Sequence, residues 1–256
     1  MENLTPEKWG NAIISGQTPR MIANRVKNGP HVPWFWDILN SARDASGIPN
    51  AGYILELGSG TGELSGGLAF NGFKPTLVDF SRTSLDFSIQ VFTALNLDIT
   101  KRAVFSEADV TKRLPFSDNT FDMVFSSGLL EHFNPTEQNH IISESFRITK
   151  TSVLTLVPFA GSFPYRLGKY LQEKEGTWKW GKEDPMFTLE NIYENLGIYN
   201  CCEWTIAPYH ALKFLEGAKR QEMANTIKEM YESLEMESLN SLEQGYLLAS
   251  IAYKNR

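Results

Sequence analysis

Residues 53–69 read YILELGSGTGELSGGLA, and Asp79 follows twenty-one positions after Gly58, inside TLVDFS. An apolar strand runs into a glycine turn, a helix follows, and an acid closes the next strand. That order describes a nucleotide-type binding unit built on two parallel strands. Glycine spacing then narrows the ligand. A dinucleotide fingerprint, GxGxxG, would put its third glycine at position 63, whereas this chain has Gly58, Gly60 and Gly62, with Glu63 next. A carboxylate at the helix start stands where a pyrophosphate seeks backbone N–H groups and positive potential. Glu56, just before the turn, supplies a second acid. Two acids around one turn suit a ligand carrying an ammonium and a sulfonium better than one carrying two phosphates, and S-adenosylmethionine is such a ligand.

Working outward, strand and helix signals alternate from residue 53. Strands are expected at 53–57, 74–78, 102–107, 121–125, 152–157, 201–206 and 246–253, with helical patterns at 63–71, 81–95, 136–148 and 188–196. Short apolar runs alternating with helices predict an α/β fold. It is a doubly wound, mostly parallel seven-stranded sheet with helices on both faces, Rossmann-like, and its last strand is free to run antiparallel. Residues 1–50 read as an N-terminal helical cap segment broken at Pro19, Gly29-Pro30, Pro33 and Pro49. Within it WFWDIL (34–39) is expected to pack its rings on the core. Residues 51–256 form the binding domain, with cap insertions near 159–186 and 208–243 that exceed ordinary connection lengths. The second insertion reads mostly as a long helix, with Met223, Ile227, Met230 and Leu234 on one apolar stripe. If strands 152–157 and 201–206 run parallel to the first, both insertions leave the sheet at its carboxyl edge, where open α/β sheets bind ligands.

Composition excludes several classes. A net charge of −6 and a pI near 5.4 argue against a broad nucleic-acid face, and Lys101-Arg102 and Lys112-Arg113 are short, separated pairs. The two cysteines, Cys201 and Cys202, are adjacent, which rules out a disulfide framework. The four histidines are scattered, so no zinc spacing exists and no metal site is expected. No stretch approaches the roughly 18 apolar residues a membrane helix requires, and the first residues show no signal-peptide pattern. A cytoplasmic protein without stable membrane insertion is the expectation; nothing in the sequence fixes an oligomeric state.

ELGSGTG (56–62), the acid Asp79, and EADVTKRLPFSDNTFDMVFSSGLLEHF (107–133) together resemble class I S-adenosylmethionine-dependent methyltransferases, of the branch that includes ubiquinone- and menaquinone-type and other small-molecule enzymes. The resemblance covers residues 50–160 best. It implies S-adenosylmethionine as cofactor, with the turn of Gly58, Ser59, Gly60 and Gly62 lying close to its methionine and ribose parts. Glu56 would face the amino group, Asp79 the ribose hydroxyls and Phe80 the adenine face. Asp109 would accept from the adenine amino group with the Val110 backbone beside it, and Ser126, Ser127 and Gly128 would lie next to the sulfonium. Glu131 and His132, just past the fourth strand, are the candidate catalytic bases for an acceptor that arrives protonated.

The aromatic content of the first insertion (Phe163, Tyr165, Tyr170, Trp178, Trp180, Phe187) predicts a pocket wall for a small, aromatic or largely apolar acceptor, or a cap with its own core. Tyr165, Tyr170 and His210 cannot be positioned from sequence. Two competing functions are a non-catalytic S-adenosylmethionine sensor and a nicotinamide-dependent oxidoreductase. The glycine spacing and Glu63 disfavour the latter. SSGL after the fourth strand replaces the NPPY- or DPPY-type signature of amino-directed nucleic-acid methyltransferases.

Overall fold

A computed structural model describes residues 4–28, 33–49, 51–215, 217, 220–234 and 244–254. The chain opens with helices α1 (Pro6–Ile14), α2 (Pro19–Lys27) and α3 (Pro33–Ser46). Pro19 and Pro33 therefore start helices where the sequence suggested breaks. A proline in the first turn forfeits no helical hydrogen bond, and Thr5 and Thr18 cap α1 and α2 by accepting the backbone N–H of Lys8 and Met21.

Seven strands follow: β1 (Tyr53–Leu57), β2 (Lys74–Asp79), β3 (Val104–Glu107), β4 (Phe121–Ser127), β5 (Thr149–Pro158), β6 (Cys201–Ile206) and β7 (Leu247–Tyr253). They form one sheet in the order β3-β2-β1-β4-β5-β7-β6. Neighbours from β3 through β5 pair in parallel, and β7 runs antiparallel to both β5 and β6. This is the doubly wound, mostly parallel seven-stranded architecture the sequence predicts, and β6 has the direction that sends both insertions to the carboxyl edge. Residue 102 departs from expectation: it ends the short helix α6 (Ile99–Arg102), whose cap Asp98 holds the Thr100 N–H, so β3 begins at Val104.

Alternation along the strands supplies two cores. Ile54, Met123, Phe125, Leu154 and Ile251 point to one face, where Phe35, Ile38 and Leu39 of α3 cover them with Leu68 of α4 (Glu63–Phe70). The Phe35 and Phe125 rings stand 5.3 Å apart. In WFWDIL, Phe35, Ile38 and Leu39 thus pack on the core, while the Trp34 and Trp36 side chains lie outside the described residues. Leu55, Leu57, Val124, Val153 and Val157 point the other way, onto Ile141 and Ile142 of α7 (Pro135–Ile148) and Ile192 and Tyr193 of α9 (Glu190–Asn195). Helix α5 (Arg82–Ala94) covers β2 and carries α2 on its outer side through Ile22, Phe87 and Val91. Among the described residues no helix is long and apolar enough to cross a membrane.

The insertions build a roof. Helix α8 (Phe163–Glu175) lies on a 3-10 run at Pro208–Leu215. The expected long helix over 208–243 is divided. Gly217, at φ +126°, separates the 3-10 run from α10 (Gln221–Glu232), and residues 235–243 lie outside the described residues. Ala224 and Tyr231 of α10 turn inward and Ile227 is half-buried, whereas Met223, Met230 and, past the helix end, Leu234 are exposed, so most of the predicted stripe faces away from the core.

The roof depends on close approach at Gly168, where a Cβ would stand 2.5 Å from the Phe214 Cβ and 2.6 Å from its carbonyl oxygen. Gly168→Ala is expected to destabilise the protein by about 1–3 kcal/mol, the cost of overpacking a close-packed contact. Urea unfolding would read this as a lowered midpoint, and an unchanged midpoint would contradict the packing described.

Candidate active site

The order of strands reverses between β1 and β4, and the ends of β1, β2, β3 and β4 open there onto the carboxyl edge. The turn after β1 runs through Gly58, Gly60 and Gly62 at φ +67°, +53° and +72°, a left-handed conformation that residues with a Cβ adopt at a cost. Gly58 also meets a steric demand, since a Cβ there would lie 2.8 Å from Leu129 Cδ1. The turn is pinned to β2: the Gly58 and Ser59 N–H groups donate to Val78 O, and the Gly60 N–H donates to Asp79 Oδ2 at 2.9 Å. Asp79 Oδ1 accepts from the Ser81 N–H at 2.9 Å, so one carboxylate holds the glycine turn and the start of α5 together. Burial raises the Asp79 pKa to about 6, against the lowering effect of its backbone donors.

Two cavities open at this edge. The first, ≈ 220 Å³, is lined by Gly58, Asp79, Phe80, Asp109, Val110 and Leu129, with Phe133 and Thr111 nearby. Asp109 Oδ1 is bonded to the Thr111 N–H and hydroxyl at 2.9 and 2.7 Å. The second, ≈ 280 Å³, is lined by Ser127, Gly128, Glu131, Glu183, Lys213 and Tyr246, with Phe214, His210 and Leu64. Trp9, His132 and Trp180 belong to both, so the cavities adjoin across one wall.

The predicted residues divide accordingly. Asp79, Phe80, Asp109, Val110 and Gly58 share the first cavity; Ser127, Gly128 and Glu131 share the second; His132 borders both. Glu56, Ser59, Gly60, Gly62 and Ser126 line neither. Glu56 is buried and accepts from the Ser65 N–H and hydroxyl at the start of α4, and burial raises its pKa to about 8. Ser59 Oγ is buried in the turn without a hydrogen-bond partner among the described residues. Gly62 caps α4, and the Gly60 carbonyl accepts from Ser88. Ser126 is buried in β4.

One inference from spacing needs correction. Glu63 does not present free negative charge, because Arg25 of α2 grips it with Nε at 2.9 Å and Nη2 at 2.5 Å. With Glu56 held by Ser65, neither acid acts as the simple charge that their position in the sequence suggested.

Beyond the first cavity, the acids are deeply enclosed. Glu131 is 2% exposed, in a 3-10 turn at Leu130–His132, and its Oε2 has no hydrogen-bond partner among the described residues. Burial and then the Glu183 charge raise its pKa well above the usual carboxylate value. Glu183 accepts from the Tyr165 hydroxyl and is itself raised to about 8 by burial. His132 Nδ1 lies 2.7 Å from the Lys182 carbonyl, which can only accept; Nδ1 therefore carries the hydrogen and Nε2 the lone pair. Burial lowers the His132 pKa, keeping the ring neutral near pH 7. Its edge meets Trp9 at 4.8 Å.

Several lining residues escaped the sequence reading: Trp9, Leu129, Lys182, Glu183, Lys213 and Tyr246. The KWGN stretch at Trp9 offers one usable signal, a glycine beside a tryptophan. A Cβ on Gly10 would lie 2.3 Å from Ser81 Oγ, so α1 rests directly on the start of α5 and brings Trp9 over the edge. Of the aromatics in the first insertion, Trp180 reaches the cavities and Tyr165 is fully buried, whereas Phe163, Tyr170 and Phe187 are exposed. His210 lines the second cavity with Nε2 2.8 Å from Lys213 Nζ.

Comparison with known proteins agrees with this geometry. Residues 54–152 match the sequence model described as a methyltransferase domain. Phosphoethanolamine N-methyltransferase 1 of Triticum aestivum is 38% identical over 90 residues, which cover 35% of this chain and 17% of that one. The ubiquinone/menaquinone biosynthesis C-methyltransferase of Desulfotalea psychrophila is 31% identical over 107 residues, covering 41% and 40% respectively. The chain thus spans less than half the length of either relative it matches. Among solved structures, the Haemonchus contortus phosphoethanolamine N-methyltransferase 2 superposes with a TM-score of 0.61 at 16% identity, over 99% of this chain and 61% of that one. An S-adenosylmethionine-dependent methyltransferase from Archaeoglobus fulgidus gives 0.56 at 19% identity, over 93% and 95%. At these identities the structures share the fold.

A raised carboxyl pKa has a consequence for stability. The folded pKa of Glu131 exceeds its unfolded value, so the protonated form favours folding and stability falls as pH climbs through and beyond 4.5. Glu131→Gln removes this term. The variant is expected to melt above the parent protein at pH 8.5, with the gap closing toward pH 4.5; a variant melting below the parent at pH 8.5 would contradict the assigned burial.

Proposed function

We propose that this chain, whose residues 54–152 match a methyltransferase-domain sequence model, transfers a methyl group from S-adenosylmethionine to a small acceptor. The observation that carries the reading is the pair of adjoining cavities at the switch point. Adenosine suits the one lined by Asp79, Phe80, Asp109 and Val110, and an acceptor suits the one lined by Gly128, Glu131 and Tyr246, with Trp9, His132 and Trp180 between them. A methyl donor and its acceptor must meet end to end, and two chambers with a common wall provide that approach.

The residues present suit this cofactor on three counts. Gly58 lets backbone border the first cavity where a side chain would collide with Leu129. Ser59 Oγ is a buried polar atom without a protein partner among the described residues, at the same turn. Asp79 keeps acceptor capacity on both oxygens after its backbone bonds, enough for paired hydroxyls. When bound, S-adenosylmethionine supplies a carbon already activated by its sulfonium. The protein's contribution is then orientation and exclusion of water by α1 and the 3-10 run, with Glu131 and His132 as groups able to hold a proton beside the acceptor. The ≈ 280 Å³ size of the second cavity and the acidic charge of the chain support a small molecule, with an apolar body against the aromatic walls, over a nucleic acid.

Calorimetry tests the reading. S-adenosylhomocysteine is expected to bind at one site while NADH gives no saturable heat. Asp79→Ala should weaken S-adenosylhomocysteine by on the order of ten- to a hundredfold through lost hydroxyl bonds. Because the ionised carboxylate is the better acceptor, parent affinity should fall as pH drops through about 6. Tight NADH binding with no response to S-adenosylhomocysteine would reject the proposal.

A further inference from the structure

We infer that the acceptor taken by the second cavity is an amine: a small primary or secondary ammonium on an apolar body, methylated on nitrogen, with Glu131 removing its proton. This deepens the methyltransferase reading and rests on it.

Four features of the cavity lead there. First, Glu131 is 2% exposed, lines the cavity, and leaves Oε2 without a donor among the described residues. A buried carboxyl oxygen without a donor costs free energy that a ligand N–H recovers. Second, Glu183 lines the same space and its charge disfavours ionisation of Glu131; a cation in the cavity offsets that penalty. Third, Trp9 lines the cavity together with the acids, and the neighbouring rings already hold ammonium groups, Lys179 over Trp180 and Lys213 over Phe214 and Tyr246, so an aromatic face here accommodates a cation. Fourth, the lysine that lines the cavity is already engaged by protein groups, and His132 adds no charge. His132 is neutral with its lone pair on Nε2, and Lys213 lies against the Phe214 and Tyr246 rings at 5.0 and 5.1 Å, its charge acting on Glu183.

The chemistry balances without a further reactant. The Glu131 carboxylate takes one proton from the ammonium, leaving a neutral amine and a carboxylic acid. The nitrogen lone pair then forms the N–CH₃ bond as the S–CH₃ bond breaks and its electron pair goes to sulfur. The products are a methylammonium and S-adenosylhomocysteine. Glu131 returns its proton to solvent when the product leaves. Glu131 sits three residues beyond Gly128, with Oε1 3.5 Å from where a Gly128 Cβ would lie, so the base stands at the end of β4 beside the wall shared with the first cavity.

The test uses the intact chain with S-adenosylmethionine and three probes of similar shape: 2-phenylethylamine, 2-phenylethanol and 3-phenylpropanoate. Calorimetry in the presence of S-adenosylhomocysteine is expected to detect the amine at least tenfold more tightly than either other probe. S-adenosylhomocysteine release should respond to the amine alone. Glu131→Gln, close in shape and removing only charge, should lower amine kcat/KM at least a hundredfold, flatten its rise with pH, and leave S-adenosylhomocysteine affinity within twofold. Glu183→Gln should raise amine KM more than it lowers kcat. Preference for the alcohol or the carboxylate, no amine binding by a protein that binds S-adenosylhomocysteine, or full amine turnover by Glu131→Gln would each overturn the amine assignment while sparing the methyltransferase reading. Failure to bind S-adenosylhomocysteine at all would overturn both.

Discussion

One carboxylate organises the carboxyl edge. Asp79 closes β2 with one oxygen on the Gly60 N–H and the other on the Ser81 N–H, and thereby joins the turn after β1 to the start of α5. Ser81 is also where α1 lands, against Gly10. The glycine turn, the first cavity and the helix carrying Trp9 are thus positioned through a single side chain. Its enclosure has an electrostatic cost, visible in the upward shift to about 6, which the backbone donors only partly offset. A residue that served folding alone could be replaced by a neutral side chain without that cost.

The second cavity repeats the theme with less compensation. Glu131 and Glu183 lie buried together beside Tyr246, whose own ionisation burial and these two acids suppress. Removing two carboxylates from water is expensive unless charge or hydrogen bonds repay it, and for Glu131 Oε2 no group among the described residues does. Such an arrangement is poor for stability and suited to a ligand that supplies what the protein withholds. The aromatic surfaces around it explain why an apolar body and a polar end can be accommodated in one chamber.

The parts governed by local rules were readable from the chain. Short apolar runs located all seven strands, most plainly β1, β2, β4, β5 and β7, which are buried on both faces by the cores at Ile54 and Leu55, Phe125 and Val124. Of the first-cavity residues, Asp79 was found with the strand it closes, whereas Phe80, Asp109 and Val110 were implied by the family resemblance of the segments after β2 and β3. The rest depends on distant contacts. The charge assigned to Glu63 failed because Arg25 lies 38 positions earlier on a helix whose docking no spacing reveals. Glu183 and Trp180 stand in an irregular segment without periodicity, and Trp9 reaches the site only because Gly10 lets α1 approach α5. The break at Gly217 divided a helix that amphipathic periodicity alone would have continued.

The central claim is that the two chambers divide donor from acceptor at the shared wall. A crystal structure of the protein with S-adenosylhomocysteine tests it most directly. The account predicts the adenine ring beside Phe80 and Asp109, the ribose on Asp79, and the sulfur turned toward Trp9 and His132, leaving the Glu131 chamber clear. Ligand density filling the Glu131 chamber, or lying away from Asp79, would contradict it.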